Sequence, residues 1–107
     1  WDFFGYPLLA PVLETALMVV VFNVLTRFTD KFWLLVTINT LIWSILHSLW
    51  FPVWGLMVCF SFVVYSIAYL TWKEQHGAQG FWAAALPHGL HNLLVWVSGA
   101  IVEALIA

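Results

Sequence analysis

The sequence predicts an all-α membrane helical bundle with four transmembrane helices, and three observations carry that prediction. Of the 107 residues, 64% are hydrophobic and 7% are charged, more apolar surface than a chain this short buries in an aqueous fold. The apolar residues fall into four runs, residues 8–26, 32–51, 53–72 and 81–106. Each is close to the ~20 residues that cross an approximately 30 Å hydrocarbon core. The few charges gather mainly in the breaks between the runs.

Each run has its own boundary signals. Pro11 fits the first turn of the first helix, where its missing N–H is no loss. "RFTDK", Arg27 to Lys31, closes that helix with three charges. "FPVW", Phe51 to Trp54, separates the second run from the third, with Pro52 as the break. "WKEQHGAQG", Trp72 to Gly80, is the polar connector to the fourth, in which Pro87 is expected either to begin the regular part or to bend it. Trp1, Trp33, Trp50, Trp54, Trp72 and Trp82 stand near predicted helix ends, as an interfacial belt does, whereas Trp43 and Trp96 lie deeper.

The 3 Lys and Arg residues all fall on the first and third connectors. A four-helix serpentine places these on one side, and the positive-inside rule makes loops 27–31 and 73–80 cytoplasmic. The chain thus reads as a single membrane domain over 1–107, multi-pass and integral to a lipid bilayer. With no initiator Met and no basic n-region, it reads as a segment of a longer membrane protein. Three basic residues offer no stripe for nucleic acid. The single cysteine, Cys59, has no intrachain partner and reads as a small apolar side chain.

Against this background the polar groups inside the runs stand out, because an ionisable side chain in hydrocarbon costs about 2.5 kcal/mol or more unless it has a partner or a cavity. They are Glu14, His47, His88, His91 and Asn92; Glu103 lies close enough to the last residue to reach the membrane surface, and His76 belongs to the polar connector. Counting about 1.5 Å per residue from the connectors puts Glu14 at roughly 20 Å, His47 at 24 Å and Asn92 at 18 Å. These three share a layer. His88 comes out near 12 Å and His91 near 16 Å, so His88 needs helix tilt or a break at Pro87 to join them. His88 and Asn92, four apart, share a helical face.

A carboxylate facing imidazoles from other helices can activate water. Glu14 would be the base, His47 would orient the water or take its proton, and His88 with Asn92 would donate to the oxyanion of a peptide tetrahedral intermediate. Glu14, His47, His88 and His91 also have the donor chemistry for zinc or another metal, although no H-E-x-x-H spacing accompanies them. A histidine-ligated tetrapyrrole is a third reading. Interhelical hydrogen bonding with no chemistry attached is the fourth.

Three segments, "APVLETALM" (Ala10 to Met18), "WSILH" (Trp43 to His47) and "FWAAALPHGLHNLL" (Phe81 to Leu94), resemble the signature blocks of the CPBP family. These are the CAAX protease and bacteriocin-processing, or Abi, intramembrane proteases, whose blocks run A-P-x-x-E-E-x-x-x-R, F-x-x-x-H and H-x-x-x-N/D on successive membrane helices, with one helix before the last. Glu14, His47, His88 and Asn92 fall on the matching positions, in the family's order. The resemblance implies a CPBP-like intramembrane endopeptidase that uses Glu-activated water on a membrane-associated peptide or CAAX-type substrate. It gives His91 no role. Thr15, Val19 and Trp43 depart from the pattern, standing where the second glutamate, the arginine and the phenylalanine are expected. Loss of that carboxylate–arginine pair motivates the rival reading, a non-catalytic membrane subunit or scaffold that keeps the fold, packs against other membrane proteins and contacts cofactors through aromatic or His side chains.

Overall fold

A computed structural model describes residues 8–77 and 79–107; Trp1, of the predicted belt, lies outside them. Among the described residues the chain is an all-α four-helix bundle: α1 (Ala10–Leu25), α2 (Phe32–Ser48), α3 (Pro52–His76) and α4 (Gln79–Ile106).

The helix ends follow from local chemistry. Pro11 sits in the first turn of α1 and Pro52 opens α3 after an extended Phe51, positions where a missing N–H leaves no hydrogen bond unmade. Beyond α1 the chain tightens, with Arg27 N–H donating to the Val24 carbonyl at 3.2 Å and Phe28 to Leu25 at 3.0 Å, so the last carbonyls are satisfied. Thr29 Oγ1 accepts from Lys31 N–H at 3.2 Å, and Lys31 then enters α2 from an extended conformation.

The third helix is longer than hydropathy predicts. It continues through Trp72, Lys73, Glu74 and Gln75 to His76, because Lys, Glu and Gln end an apolar run without ending a helix; their helix propensities are high. Gly77, at φ 58°, stops it in a conformation that glycine adopts without strain. The fourth helix starts at Gln79 and passes through Pro87. The ring nitrogen there has no hydrogen for the carbonyl one turn back, that of Ala83.

In the bundle α3 packs against both α2 and α4, while α1 lies chiefly along α4 and touches α2 lightly. Two glycines mark close approaches. A Cβ on Gly55 would collide with the Ser44 carbonyl oxygen and Ser48 Oγ, and one on Gly80 would stand 3.0 Å from the Tyr69 carbonyl oxygen and the Lys73 nitrogen. Between these points Trp43 stacks on Phe62 with centroids 5.1 Å apart, and Phe22 stacks on Tyr69 at 5.3 Å. The Phe22–Tyr69 stack brings the C-terminal halves of α1 and α3 together, so Arg27, Lys31 and Lys73 belong to the same end of the bundle.

Among the described residues two helices, α3 and α4, are long and apolar enough to cross a membrane. The first two are apolar but shorter, 16 and 17 residues. In the apolar window of α4 only 6% of the residues are buried inside the bundle, so that stretch is not a buried core helix of this bundle.

Candidate functional site

The site is built where α1 and α4 meet the upper half of the α2–α3 pair, away from the basic connectors. On α1, Thr15, Met18 and Phe22 are buried, and their spacing of three and four residues makes a stripe that faces the core. Glu14 stands at the edge of that stripe, half-buried. Its Oε2 accepts from His88 Nε2 at 3.1 Å.

His88 is held on more than one side. Its ring stacks on Tyr65 with centroids 4.4 Å apart and planes 20° from parallel, and meets Phe62 edge-on at 5.7 Å. Its side chain is 5% exposed, against 26% for Glu14, so the pair presents the carboxylate to open space and hides the imidazole. The arrangement suits a hydrogen-bonded partner that orients a reactive carboxylate.

His47 approaches from α2. Its Nδ1 lies 2.7 Å from the Trp43 carbonyl oxygen. A carbonyl only accepts, so Nδ1 carries the hydrogen and Nε2 of the neutral ring carries a lone pair. Trp54 meets the ring edge-on at 5.6 Å, and Phe62 lies 5.5 Å away. Phe62 therefore packs against both histidines.

These side chains line one cleft of about 250 Å³. Glu14, His47, Ser61, Tyr65, His88, His91 and Asn92 supply its polar lining, and Trp50, Trp54, Met57, Val58 and Val95 much of its apolar lining. His88 and Asn92 are buried, whereas His91, next to them in sequence, is exposed. The four residues matched to the family blocks thus face a common space, and His91 lines that space as well.

The depth count misplaces His88. It takes Gly80 as lying level with the basic connector, but α3 runs a turn further than expected. Gly80 packs beside Tyr69 and Lys73, above the end of α3, and α4 starts that much higher. His88 is consequently the direct partner of Glu14. The count for His47 needs a smaller adjustment, since helical side chains lean toward the N-terminus of their helix, which on α2 is toward the Trp43 layer.

Several other residues resolve plainly. Among the described residues no group of three or more His, Cys, Asp or Glu side chains is placed to hold a metal ion; Glu14 and His88 pair, but His47 and His91 do not complete a ligand set with them. Thr15 is 1% exposed and Val19 packs against the core cluster. A Glu–Arg pair four residues apart on this face would be buried in the bundle, and here both positions fit apolar packing. Glu103 and His76 are exposed and Cys59 is half-buried; His76 lies 4.7 Å from the Trp72 ring. Trp33, Trp50, Trp72 and Trp82 are exposed, as side chains at a membrane interface would be.

Sequence reasoning missed the aromatic frame of the site. Phe62, Tyr65 and Tyr69 recur at spacings of three and four on the buried face of α3, a periodic signal that marks a core face without revealing that a histidine would stack on it. It also missed Asn39, whose Nδ2 donates to Ser66 Oγ at 2.8 Å. No protein-family model matches the chain, and no curated protein or solved structure matches it significantly.

Proposed function

We propose that this chain is a membrane-embedded peptidase of the CPBP kind, in which Glu14 activates water for attack on a peptide bond. The observation that carries the reading is the Glu14–His88 pair, 3.1 Å apart, on a cleft shared with His47 and Asn92. All four helices cross the bilayer, with loops 27–31 and 73–80 on the cytoplasmic side. Supporting this are the length of α3 and α4, the outward-facing apolar side chains along every helix, and the confinement of all three cations to one end.

In the reaction, a water between Glu14 and the lone pair of His47 Nε2 loses a proton to Glu14 as its oxygen attacks the scissile carbonyl. Asn92 donates to the oxyanion. His88 keeps Glu14 turned toward the cleft, and its stack on Tyr65 keeps His88 itself from turning. As the tetrahedral intermediate collapses, the C–N bond breaks and Glu14 returns the proton to the leaving amine. The Thr15 and Val19 positions leave this cycle intact, because the imidazole of His88 supplies the hydrogen bond that orients Glu14.

The test is hydrolysis of membrane-inserted peptides by the purified chain in lipid nanodiscs, with Glu14→Gln alongside. Cleavage that disappears in the variant supports the reading; cleavage that persists, or none in the unaltered chain, overturns it. In the latter case the second reading stands, a non-catalytic membrane subunit. It is favoured by α4, whose last turns from Val97 to Ile106 are exposed and apolar over most of their length and offer a surface to another membrane protein.

A further inference from the structure

We infer that the cleft takes an internal, uncharged stretch of a membrane peptide, seating a large apolar side chain against Trp50, Trp54 and Met57, and that it rejects a peptide whose C-terminal carboxylate lies beside the scissile bond. This inference rests on the peptidase reading and narrows its substrate class.

The argument is one of charge complementarity. A carboxylate brought into a low-dielectric site needs a cation or several donors. The chain has 3 Lys and Arg residues in all, and none lines the cleft. Arg27 and Lys31 flank the first connector, and Lys73 Nζ lies over the Tyr69 ring at 5.6 Å, at the far end of the bundle.

His88 and His47 do not substitute for them, and His91 lines the cleft from an exposed position rather than buried beside Glu14. His88 Nε2 is committed to Glu14, and the Nδ1–H of His47 to the Trp43 carbonyl. Glu14 itself would repel a second carboxylate. Asn92 is a single neutral donor, which the oxyanion of the reaction already occupies.

The opposite wall is apolar and laterally open. Trp50 and Met57 are 78% and 73% exposed, on the turn and first helical residues that join α2 to α3, so a peptide enters sideways from the bilayer. The cleft volume of about 250 Å³ is below the ~300–1,000 Å³ of pockets that enclose a drug-sized ligand. It fits a short stretch of main chain and a side chain or two.

The experiment uses the full chain in nanodiscs with peptides sharing one apolar core. One extends on both sides of the scissile bond, one ends at the residue just after it as a free carboxylate, and one ends there as an amide. The extended and amide peptides are expected to be cleaved comparably, and the free carboxylate about a hundredfold less efficiently. Equal or preferred cleavage of the carboxylate form overturns the inference.

Replacing the large apolar side chain of the extended peptide by Ala is expected to lower kcat/KM about tenfold, a preference that Met57→Ala and Trp54→Ala compress toward unity. Met57 is exposed, so its variant leaves the bundle packed. An unchanged preference in both variants counts against the apolar seat.

If no peptide is cleaved, quenching of tryptophan fluorescence by brominated versions of the same three peptides reads binding directly. The same order of affinities would then uphold the ligand class while the peptidase reading falls. The reverse order, or no binding, overturns both.

Discussion

Among the described residues, two of the interhelical polar pairs differ in what surrounds them. Asn39 Nδ2 donates to Ser66 Oγ at 2.8 Å with both residues wholly buried, and Ser66 passes its own hydrogen to the Phe62 carbonyl at 2.6 Å. The Glu14–His88 pair is similar in length but stands beside a cleft, with its carboxylate partly exposed. The first pair joins α2 to α3 with both residues wholly buried and outside the cleft lining. The second joins two helices beside open space that a substrate can enter. A polar pair between apolar helices is thus glue or chemistry according to the space beside it, and the contrast can be tested by breaking each in turn.

The largest expected effect is on activity. Glu14→Gln keeps a hydrogen-bonding side chain of nearly the same shape and removes the proposed base, so on the peptidase proposal hydrolysis should fall by about 10²–10⁴-fold, while thermal unfolding in detergent changes little. If the variant instead lowers the unfolding temperature and leaves peptide turnover unaltered, the pair is glue after all and the contrast collapses.

How far this distinction could be read from the sequence depends on the residue. Hydropathy marks all four helices because apolar runs and Pro11 and Pro52 are local signals. It shortens α3 at Trp72 because Lys73 to Gln75 interrupt the apolarity without interrupting the hydrogen bonding. Glu14, His47, His88 and Asn92 are legible as misfits in hydrocarbon, because a polar side chain in an apolar run is itself a local signal. Which of them touch is not legible: the His88–Glu14 contact depends on Gly80 packing beside Tyr69, a tertiary offset that residue counting along one helix cannot contain. Trp54, Met57 and Phe62 are invisible as site residues for the opposite reason, since apolar side chains are common throughout the chain and only their position around the cleft separates them.

The tight seam should respond most to steric change. Gly55→Val places branched carbons against the Ser44 carbonyl and Ser48 Oγ and should cost about 3 kcal/mol, the upper part of the overpacking range, read as a lowered denaturant midpoint in micelles. A variant that unfolds like the unaltered chain would mean that α2 and α3 are not in backbone contact there.

A smaller effect separates the glue pair itself. A double-mutant cycle of Asn39→Ala and Ser66→Ala should give a coupling of about 0.6–1.7 kcal/mol, the range for hydrogen bonds between membrane helices. The ratio of kcat to KM per folded molecule should stay where it was, because neither residue lines the cleft. Coupling near zero would show that the pair contributes no more than two separate side chains.

The smallest expected change concerns the core stripe of α1. The hydroxyls of Thr37, Ser66 and Ser98 each donate to the carbonyl four residues back, but Thr15 Oγ1 is buried with no partner. A buried hydroxyl without a partner is a cost to the folded bundle, and replacing it by a methyl group of the same shape is close to neutral or stabilising. Thr15→Val should therefore raise stability slightly, by about 0.5–1 kcal/mol, and leave turnover unchanged. The sign matters more than the size. A gain means that this face of α1 works as apolar packing and that Glu14 depends on His88 for its orientation. A loss of both stability and turnover would mean that the Thr15 hydroxyl holds Glu14 through a bound water, and the boundary between glue and chemistry would then run through α1 rather than beside it.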